Sequence, residues 1–209
     1  MSYHGYVPFL KHFLASRSEP KILEVGVDRG VTLLPLVTFL AQHCQTSYAY
    51  IGVDVNVQEA VKLTLAYMEP PVPQSTFLFE ENSLDFLPRA VDMQHKFDLV
   101  LLDGDHNYHT VSQELKSIEL LLKQDGILLI DDYDGKWSNR DLWYKERPGY
   151  EENEKVTAPV ETEKHGVKPA VDEWLLRHPE MKRYTLIPGE PLLVTQLDIQ
   201  TQQPQGGNA

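Results

Sequence analysis

Lys21-Ile-Leu-Glu-Val-Gly-Val-Asp-Arg-Gly30 decides the fold of this chain. A brief apolar run, Lys21 to Val25, stops at a glycine, and the stretch from Val31 to Cys44 holds too many apolar residues for a strand of ordinary length. That reads as strand, glycine loop, helix. Outward from it the alternation repeats. Tyr48 to Val53 reads as a strand ending at Asp54, Val57 to Met68 as a helix, and Pro70-Pro71-Val72-Pro73 as a break before a strand at Thr76 to Phe79. Leu84 to Val91 reads as a short helix interrupted by Pro88, Phe97 to Leu102 as a buried strand, Tyr108 to Leu122 as a helix and Gly126 to Ile130 as a fifth strand. Val167 to Arg177 reads as a helix, and Arg183 to Ile187 and Pro191 to Leu197 as two last strands joined through Pro188-Gly189. Before the motif, Phe9, Leu10, Phe13 and Leu14 give Tyr6 to Ser16 the spacing of a short amphipathic helix. Strands alternating with helices predict an α/β fold whose sheet is mostly parallel, with ligands bound beyond the carboxyl ends of the strands.

Those strand ends carry Glu24, Gly26, Asp54, Asn82, Asp103, Asp131 and Asp132, a polar set placed after apolar runs. The expected organisation is one domain over residues 1–199, with residues 1–20 as an N-terminal helical segment and 200–209 as a frayed Gln/Gly-rich tail. From Tyr133 to Gly166 the periodicity lapses, and a stretch of that length predicts a lid, a binding loop or disorder. Tyr133, Trp137, Trp143, Tyr144 and His165 either line a substrate pocket beneath it or anchor it to the core.

The 209 residues carry a formal charge of −12, which opposes a polyphosphate partner, since such affinity rests on Lys and Arg displacing counterions. Nucleic acid is therefore not the expected substrate; a small molecule is. No apolar run approaches a membrane span, the first residues lack the layout of a secretory signal, and the single Cys44 cannot form an internal disulfide. A cytoplasmic setting follows as the expectation, with a homo-oligomer compatible.

Glycine at a strand-to-helix turn lets backbone approach a ligand, and the helix start beyond it offers unpaired N–H groups. A dinucleotide fingerprint would want Gly-x-Gly-x-x-Gly, but position 28 is aspartate and only Gly26 and Gly30 are present. Glu24 places negative charge where a pyrophosphate is unwelcome and a cationic amino-acid ligand is welcome. Asp54, which follows Gly26 by 28 residues, can accept both hydroxyls of a ribose; the plainer alternative is a turn or helix-capping aspartate.

With these two motifs the sequence resembles the class I S-adenosylmethionine-dependent methyltransferases, Glu24-Val-Gly-Val-Asp-Arg-Gly30 standing as their first motif and Ile51-Gly-Val-Asp54 as their ribose-binding strand end. The resemblance runs from about Lys21 to Tyr133 and implies a Rossmann-like, mostly parallel seven-stranded sheet flanked by helices. It places Gly26 near the methionine moiety, Asp54 on the ribose, and Asn82 and Ser83, in Asn82-Ser-Leu-Asp-Phe-Leu-Pro88, at the adenine.

Leu102-Asp-Gly-Asp-His-Asn-Tyr108 and Ile130-Asp-Asp-Tyr133 form a second constellation. Asp103, Asp131 and Asp132 follow the fourth and fifth strands, and three converging carboxylates repel unless a cation joins them or capping disperses them. Oxygen ligands favour Mg²⁺, with Mn²⁺ or Ca²⁺ as alternatives. The pattern is similar to the metal-dependent sugar O-methyltransferases of the macrocin type, a resemblance that implies Asp103, Asp131 and Asp132 as metal ligands. His106 departs from that branch and is shared with a broader methyltransferase group bearing Asp-Gly-Asp-His-x-Tyr. His106 and Asp103 are the candidate catalytic residues, the imidazole being able to take a proton from an acceptor hydroxyl or to bond a carbonyl at the helix start; Asp105 supports that site or caps the helix. The leading expectation is thus metal-assisted methyl transfer to a hydroxyl of a sugar, catechol or secondary metabolite. A nicotinamide-dependent oxidoreductase and a non-catalytic cofactor-binding module are the alternatives, the first opposed by the absent middle glycine and the second by the acidic cluster.

Overall fold

Strands β1 (Lys21–Val25), β2 (Ala49–Asp54), β3 (Thr76–Glu80), β4 (Phe97–Leu102), β5 (Leu122–Ile130), β6 (Lys182–Tyr184) and β7 (Leu192–Thr195) form one sheet in the order β3-β2-β1-β4-β5-β7-β6. This computed structural model describes residues 3–44, 47–69, 72–186 and 191–199. β1 to β5 pair in parallel, and β7 runs antiparallel to both β5 and β6. The helices are α1 (Val7–Ala15), α2 (Leu33–His43), α3 (Glu59–Tyr67), the single turn α4 (Val72–Ser75), α5 (Ser83–Asp92), α6 (Tyr108–Leu121) and α7 (Val167–Arg177).

Every residue of β4 is buried, because helices cover both faces of the sheet. Side chains alternate between those faces. Val100 and Leu102 join Phe86 and Leu87 of α5, Leu115 and Ile118 of α6 and Trp174 of α7. Leu99 and Leu101 instead join Leu10 and Leu14 of α1, Leu36 and Leu40 of α2 and Val61 of α3. The period of two thus assigns each apolar residue of a strand to one of two cores. No described helix is long and apolar enough to cross a membrane.

The seven-stranded, mostly parallel α/β sheet is as expected, and the differences lie at boundaries. Helix α2 starts two residues after Val31, and α3 spans Glu59 to Tyr67 within the expected Val57 to Met68. Helix α5 passes through Pro88 without ending; Asn82 caps its first turn and Phe86, Leu87 and Ala90 are buried against the sheet. β5 opens at Leu122, ahead of Gly126, and its pairing with β4 slips between Phe97 and Leu99. The expected strand Arg183 to Ile187 is observed as Lys182–Tyr184; Ile187, the Pro188-Gly189 join, Pro70-Pro71 and the 200–209 tail lie outside the described residues.

Between Tyr133 and Val167 the chain forms no strand and only a short 3-10 turn at Tyr144–Glu146, with an isolated bridge from Leu142 to His106. It is tied down over the carboxyl ends of the strands. The Asn82 amide donates to Lys155 O at 2.8 Å and to Thr157 Oγ1 at 3.0 Å, and Asp141 Oδ1 accepts the N–H groups of Tyr108 and Gly166.

Candidate active site

β1 sits at the switch point, with β2 on one side and β4 on the other, so the turns leaving these strands diverge and open a cleft. Gly26 adopts φ +88° and donates its N–H to Val53 O at 2.9 Å. A Cβ at this position would overlap the Asp103 carbonyl oxygen. The glycine therefore lets the turn after β1 pack directly on the turn after β4. Gly30 also has positive φ, but its missing side chain makes room for the Val61 methyls of α3. It does not line the cleft, so its contribution lies in the turn and its packing.

Asp54 gathers the same turn. Its Oδ2 accepts Val27 N–H at 2.8 Å and Asp28 N–H at 2.9 Å, and its Oδ1 accepts Asn56 N–H at 2.8 Å. These bonds are the plainer turn-aspartate role, made to the glycine loop itself, and they leave Asp54 on the wall of the cleft. Asn82 is similarly occupied: its Oδ1 caps α5 through Leu84 N–H, and its amide group holds the 155–157 segment. Ser83 donates to Glu114 Oε1 at 2.6 Å.

The cleft has two lobes. The first encloses about 620 Å³ and is walled by Val25, Val53, Asp54, Asn82, Ser83, Asp105, Tyr150 and Thr157 among others. The second, about 950 Å³, is walled by Glu24, Thr32, His106, Asp131, Asp132, Trp137 and Arg147 among others. Gly26, Asp28, Asp103 and Tyr144 face both. The expected cofactor residues Gly26, Asp54, Asn82, Ser83 and Asp103 thus meet around the first lobe, while Glu24 is on the wall of the second.

Glu24 is only 2% exposed, and burial raises its carboxyl to about 8 despite the hydrogen bond it accepts from Tyr50 OH at 3.0 Å. Burial, and next the Asp131 carboxylate, hold Asp103 well above the usual carboxylate range. Burial raises Asp131 as well, with the hydrogen bond to Asp103 and the nearby His106 acting in the opposite sense. His106 stands beside them, its Nε2 3.5 Å from Asp103 Oδ1 and its Nδ1 3.8 Å from Asp132 Oδ2. Burial lowers its pKa, with Asp132 and Asp131 acting in the opposite sense. Asp105 is pushed up to about 6 by burial and accepts the Thr110 hydroxyl at 3.3 Å; the cap of α6 is Asn107, whose Oδ1 accepts Thr110 N–H at 2.7 Å.

One ligand atom from each of Asp103, His106 and Asp131 lies within 4.8 Å of the others, a spacing that one metal ion can bridge. Asp132, expected as a third ligand, stands beside this group; its φ of +55° turns the chain, and its Oδ1 faces Trp137 N–H at 3.4 Å. Residues that periodicity did not single out also wall the cleft: Tyr150, Val156, Thr157, Arg29 and Arg147. Arg29 belongs to the turn after β1, whereas the other four arrive by way of an irregular segment whose placement depends on contacts remote in sequence. Of the expected aromatics, Trp137 and Tyr144 line the cleft, while Tyr133 bonds Asp172 through its hydroxyl and His165 pairs with Asp141 at 2.6 Å.

A family described as a methyltransferase domain matches residues 23–133. No curated protein matches the chain in sequence. Among solved structures, the chain is similar to CalS11, a TDP-rhamnose 3'-O-methyltransferase of calicheamicin biosynthesis, at 17% identity and TM-score 0.62 over 93% of this chain and 79% of that one. It is similar to the O-methyltransferase TomG of Streptomyces achromogenes at 15% identity and TM-score 0.57, over 91% and 78%. MycE of the mycinamycin pathway, solved with Mg, is similar at 13% identity and TM-score 0.54 over 91% of this chain but only 49% of its own. At these identities the likeness concerns the fold.

Proposed function

This chain belongs to the methyltransferase-domain family and is an S-adenosylmethionine-dependent methyltransferase, and on that premise we propose that it methylates a hydroxyl of a small molecule with the help of a divalent cation. The observation that carries the proposal is the shared wall. Because Gly26, Asp28, Asp103 and Tyr144 face both lobes, a ligand seated against Asp54 would lie beside the acidic end of the cleft. The first lobe is assigned to the adenosine and the second to the methionine end and the acceptor.

S-adenosylmethionine supplies an electrophilic methyl on a sulfonium. Asp54 is assigned to the ribose; Oδ1 accepts a single amide and so retains a lone pair for a hydroxyl. Ser83, Asn82 and Gly26 bound the space around the nucleoside. Asp103 and Asp131 are assigned to the ion, with Asp132 adjacent. Neighbouring buried carboxylates whose pKa values are both raised are a donor set suited to a hard cation, and Mg²⁺, with Mn²⁺ or Ca²⁺ as alternatives, would lower the pKa of an acceptor hydroxyl. The small-molecule acceptor accords with the chain's strong negative charge and with the acceptors of similar structures, a TDP-rhamnose hydroxyl in one of them.

His106 is assigned to the hydroxyl proton. Burial lowers its pKa and so favours the neutral ring, whose Nε2 lies 3.5 Å from Asp103 Oδ1 and whose Nδ1 lies 3.8 Å from Asp132 Oδ2. A nitrogen cannot use one lone pair both to ligate an ion and to take a proton, so these roles separate experimentally. Calorimetry should show Asp131→Asn weakening Mn²⁺ binding at least tenfold with S-adenosylhomocysteine affinity kept. His106→Gln should abolish methyl transfer to a hydroxyl panel with Mn²⁺ affinity kept. Equal loss of Mn²⁺ affinity in His106→Gln would make the histidine a ligand, and turnover undiminished in excess chelator would remove the ion altogether.

A further inference from the structure

Arg147 lies on the wall of the second lobe together with His106, Asp131 and Asp132, and among the described residues no carboxylate comes within salt-bridge distance of it. Its guanidinium carbon sits 5.3 Å from the Tyr144 ring centroid. A cation–π contact of this kind uses no hydrogen-bond donor, so the guanidinium N–H groups are available for a carboxylate or phosphate. The neighbourhood repeats the pattern. The Lys136 ammonium and the Arg140 guanidinium lie over the ring of Trp137, another wall residue, 4.6 and 4.8 Å from its centroid, and neither has a described carboxylate partner. Lys145 gives its ammonium to a carbonyl, that of Asn153, at 2.9 Å.

In a chain of net charge −12, acids are abundant enough to pair these cations, as they do Lys62, Arg89, Lys123 and Lys168 elsewhere. Here four cations fall between residues 136 and 147 without one such pair. The lobe is therefore polarised, with carboxylates at its floor and guanidinium at its rim.

We infer that the methyl acceptor is an anion, a hydroxyl compound bearing a carboxylate or phosphate that Arg147 binds while the hydroxyl faces Asp103 and His106. The inference rests on the methyltransferase reading of the cleft and adds the charge class of its second substrate. A guanidinium at the rim also orients the acceptor, because only one end of a bipolar molecule is attracted to each end of the lobe. The competing assignment for Arg147 is the carboxylate of the cofactor's methionine, which would enter the same lobe.

Two charge-matched pairs of probes separate these possibilities: 3,4-dihydroxybenzoate against 3,4-dihydroxybenzamide, and glucose 6-phosphate against glucose. Each is titrated by calorimetry into the full chain loaded with S-adenosylhomocysteine and Mg²⁺, as wild type, Arg147→Gln and Arg147→Lys. In at least one pair the anion should bind tenfold or more tightly, equivalent to about 1.4 kcal/mol. Arg147→Gln should erase that preference, Arg147→Lys should retain most of it, and S-adenosylhomocysteine affinity should be the same in all three. Wild type that binds S-adenosylhomocysteine but prefers no anion, or an anion preference that survives Arg147→Gln, overturns the inference and leaves the methyltransferase reading standing. A fall in S-adenosylhomocysteine affinity in Arg147→Gln assigns the arginine to the cofactor and overturns it equally. Wild type that fails to bind S-adenosylhomocysteine overturns both.

Discussion

Glu114→Gln should stabilise this protein, and the gain should grow with pH. Glu114 lies on α6 with no exposed surface; Ser83 donates to its Oε1 at 2.6 Å, and its Oε2 has no hydrogen-bond partner. Burial pushes its carboxyl from 4.5 up to about 8. Between those values the folded chain binds a proton at this site that the unfolded chain has released, so the carboxyl's contribution falls as pH rises, by about 1.4 kcal/mol per pH unit. Across the interval the loss is on the order of 5 kcal/mol, and above pH 8 it is constant. Glutamine has nearly the shape of the protonated acid, can still accept from Ser83, and carries no titrating proton. The two proteins should therefore have similar stability near pH 5, and the variant should lead progressively up to pH 8. Urea unfolding at half-unit intervals, followed by tryptophan fluorescence, measures the difference directly, and titrating groups that do not interact with Glu114 cancel between the two curves, Asp105 being the charged neighbour that does not. A stability difference that stays flat from pH 5 to 8 would refute the reasoning, because it would mean that Glu114 is ionised in the fold throughout.

Gly26→Ala should lower the melting temperature by about 4–8 °C, from a strain of about 2 kcal/mol, and abolish S-adenosylhomocysteine binding, since φ is +88° and the new methyl meets the Asp103 carbonyl. A thermal melt with and without ligand checks both. Lys123→Met should cost about 2–4 kcal/mol in urea unfolding yet leave cofactor affinity intact, because Lys123 Nζ holds both oxygens of the buried Asp98, at 2.9 and 2.8 Å, at the far end of β4 from the cleft. For His106, whose pKa burial lowers, the acid limb of kcat/KM should fall below pH 6.5, so activity should persist under mildly acidic conditions that protonate an ordinary histidine. A limb centred above pH 7 would contradict that environment.

Much of this architecture was legible because its physics is local. A strand buried on both faces is apolar nearly throughout, so Phe97 to Leu102 could be read without knowing its neighbours, whereas the caps could not: Asn107 and not Asp105 caps α6, and Asn82, expected at the adenine, caps α5. The turn at Gly26 was legible because a strand-to-helix turn that must approach another backbone needs a residue without Cβ. Tertiary contact fixes the rest. Nothing in the spacing of Tyr150, Thr157 or Arg147 places them over the cleft; the Asn82 amide, two short hydrogen bonds away from residues 155–157, does. The same applies to the acidic group. Sequence order puts Asp131 and Asp132 side by side, but consecutive residues after a strand point apart, and the positive φ at Asp132 turns it toward Trp137 while Asp131 stays against Asp103.

The double use of Asp54 and Asn82 explains how an irregular segment and a glycine turn come to form one site. Asp54 holds two amides of the turn after β1, and Asn82 holds both the start of α5 and the 155–157 segment. Each side chain is a candidate ligand contact whose position is already fixed by backbone groups. A carboxylate fixed by three amides loses little rotamer freedom when a ribose reaches it, so more of the contact energy appears as affinity. The same argument makes the site brittle. Removing Asp54 takes away a prospective hydroxyl acceptor and also the bonds that shape the Gly26 turn, and the turn is what brings Asp103 against β1. On the proposed assignment, cofactor binding and assembly of the acidic cluster would both depend on one set of hydrogen bonds at the switch point of the sheet.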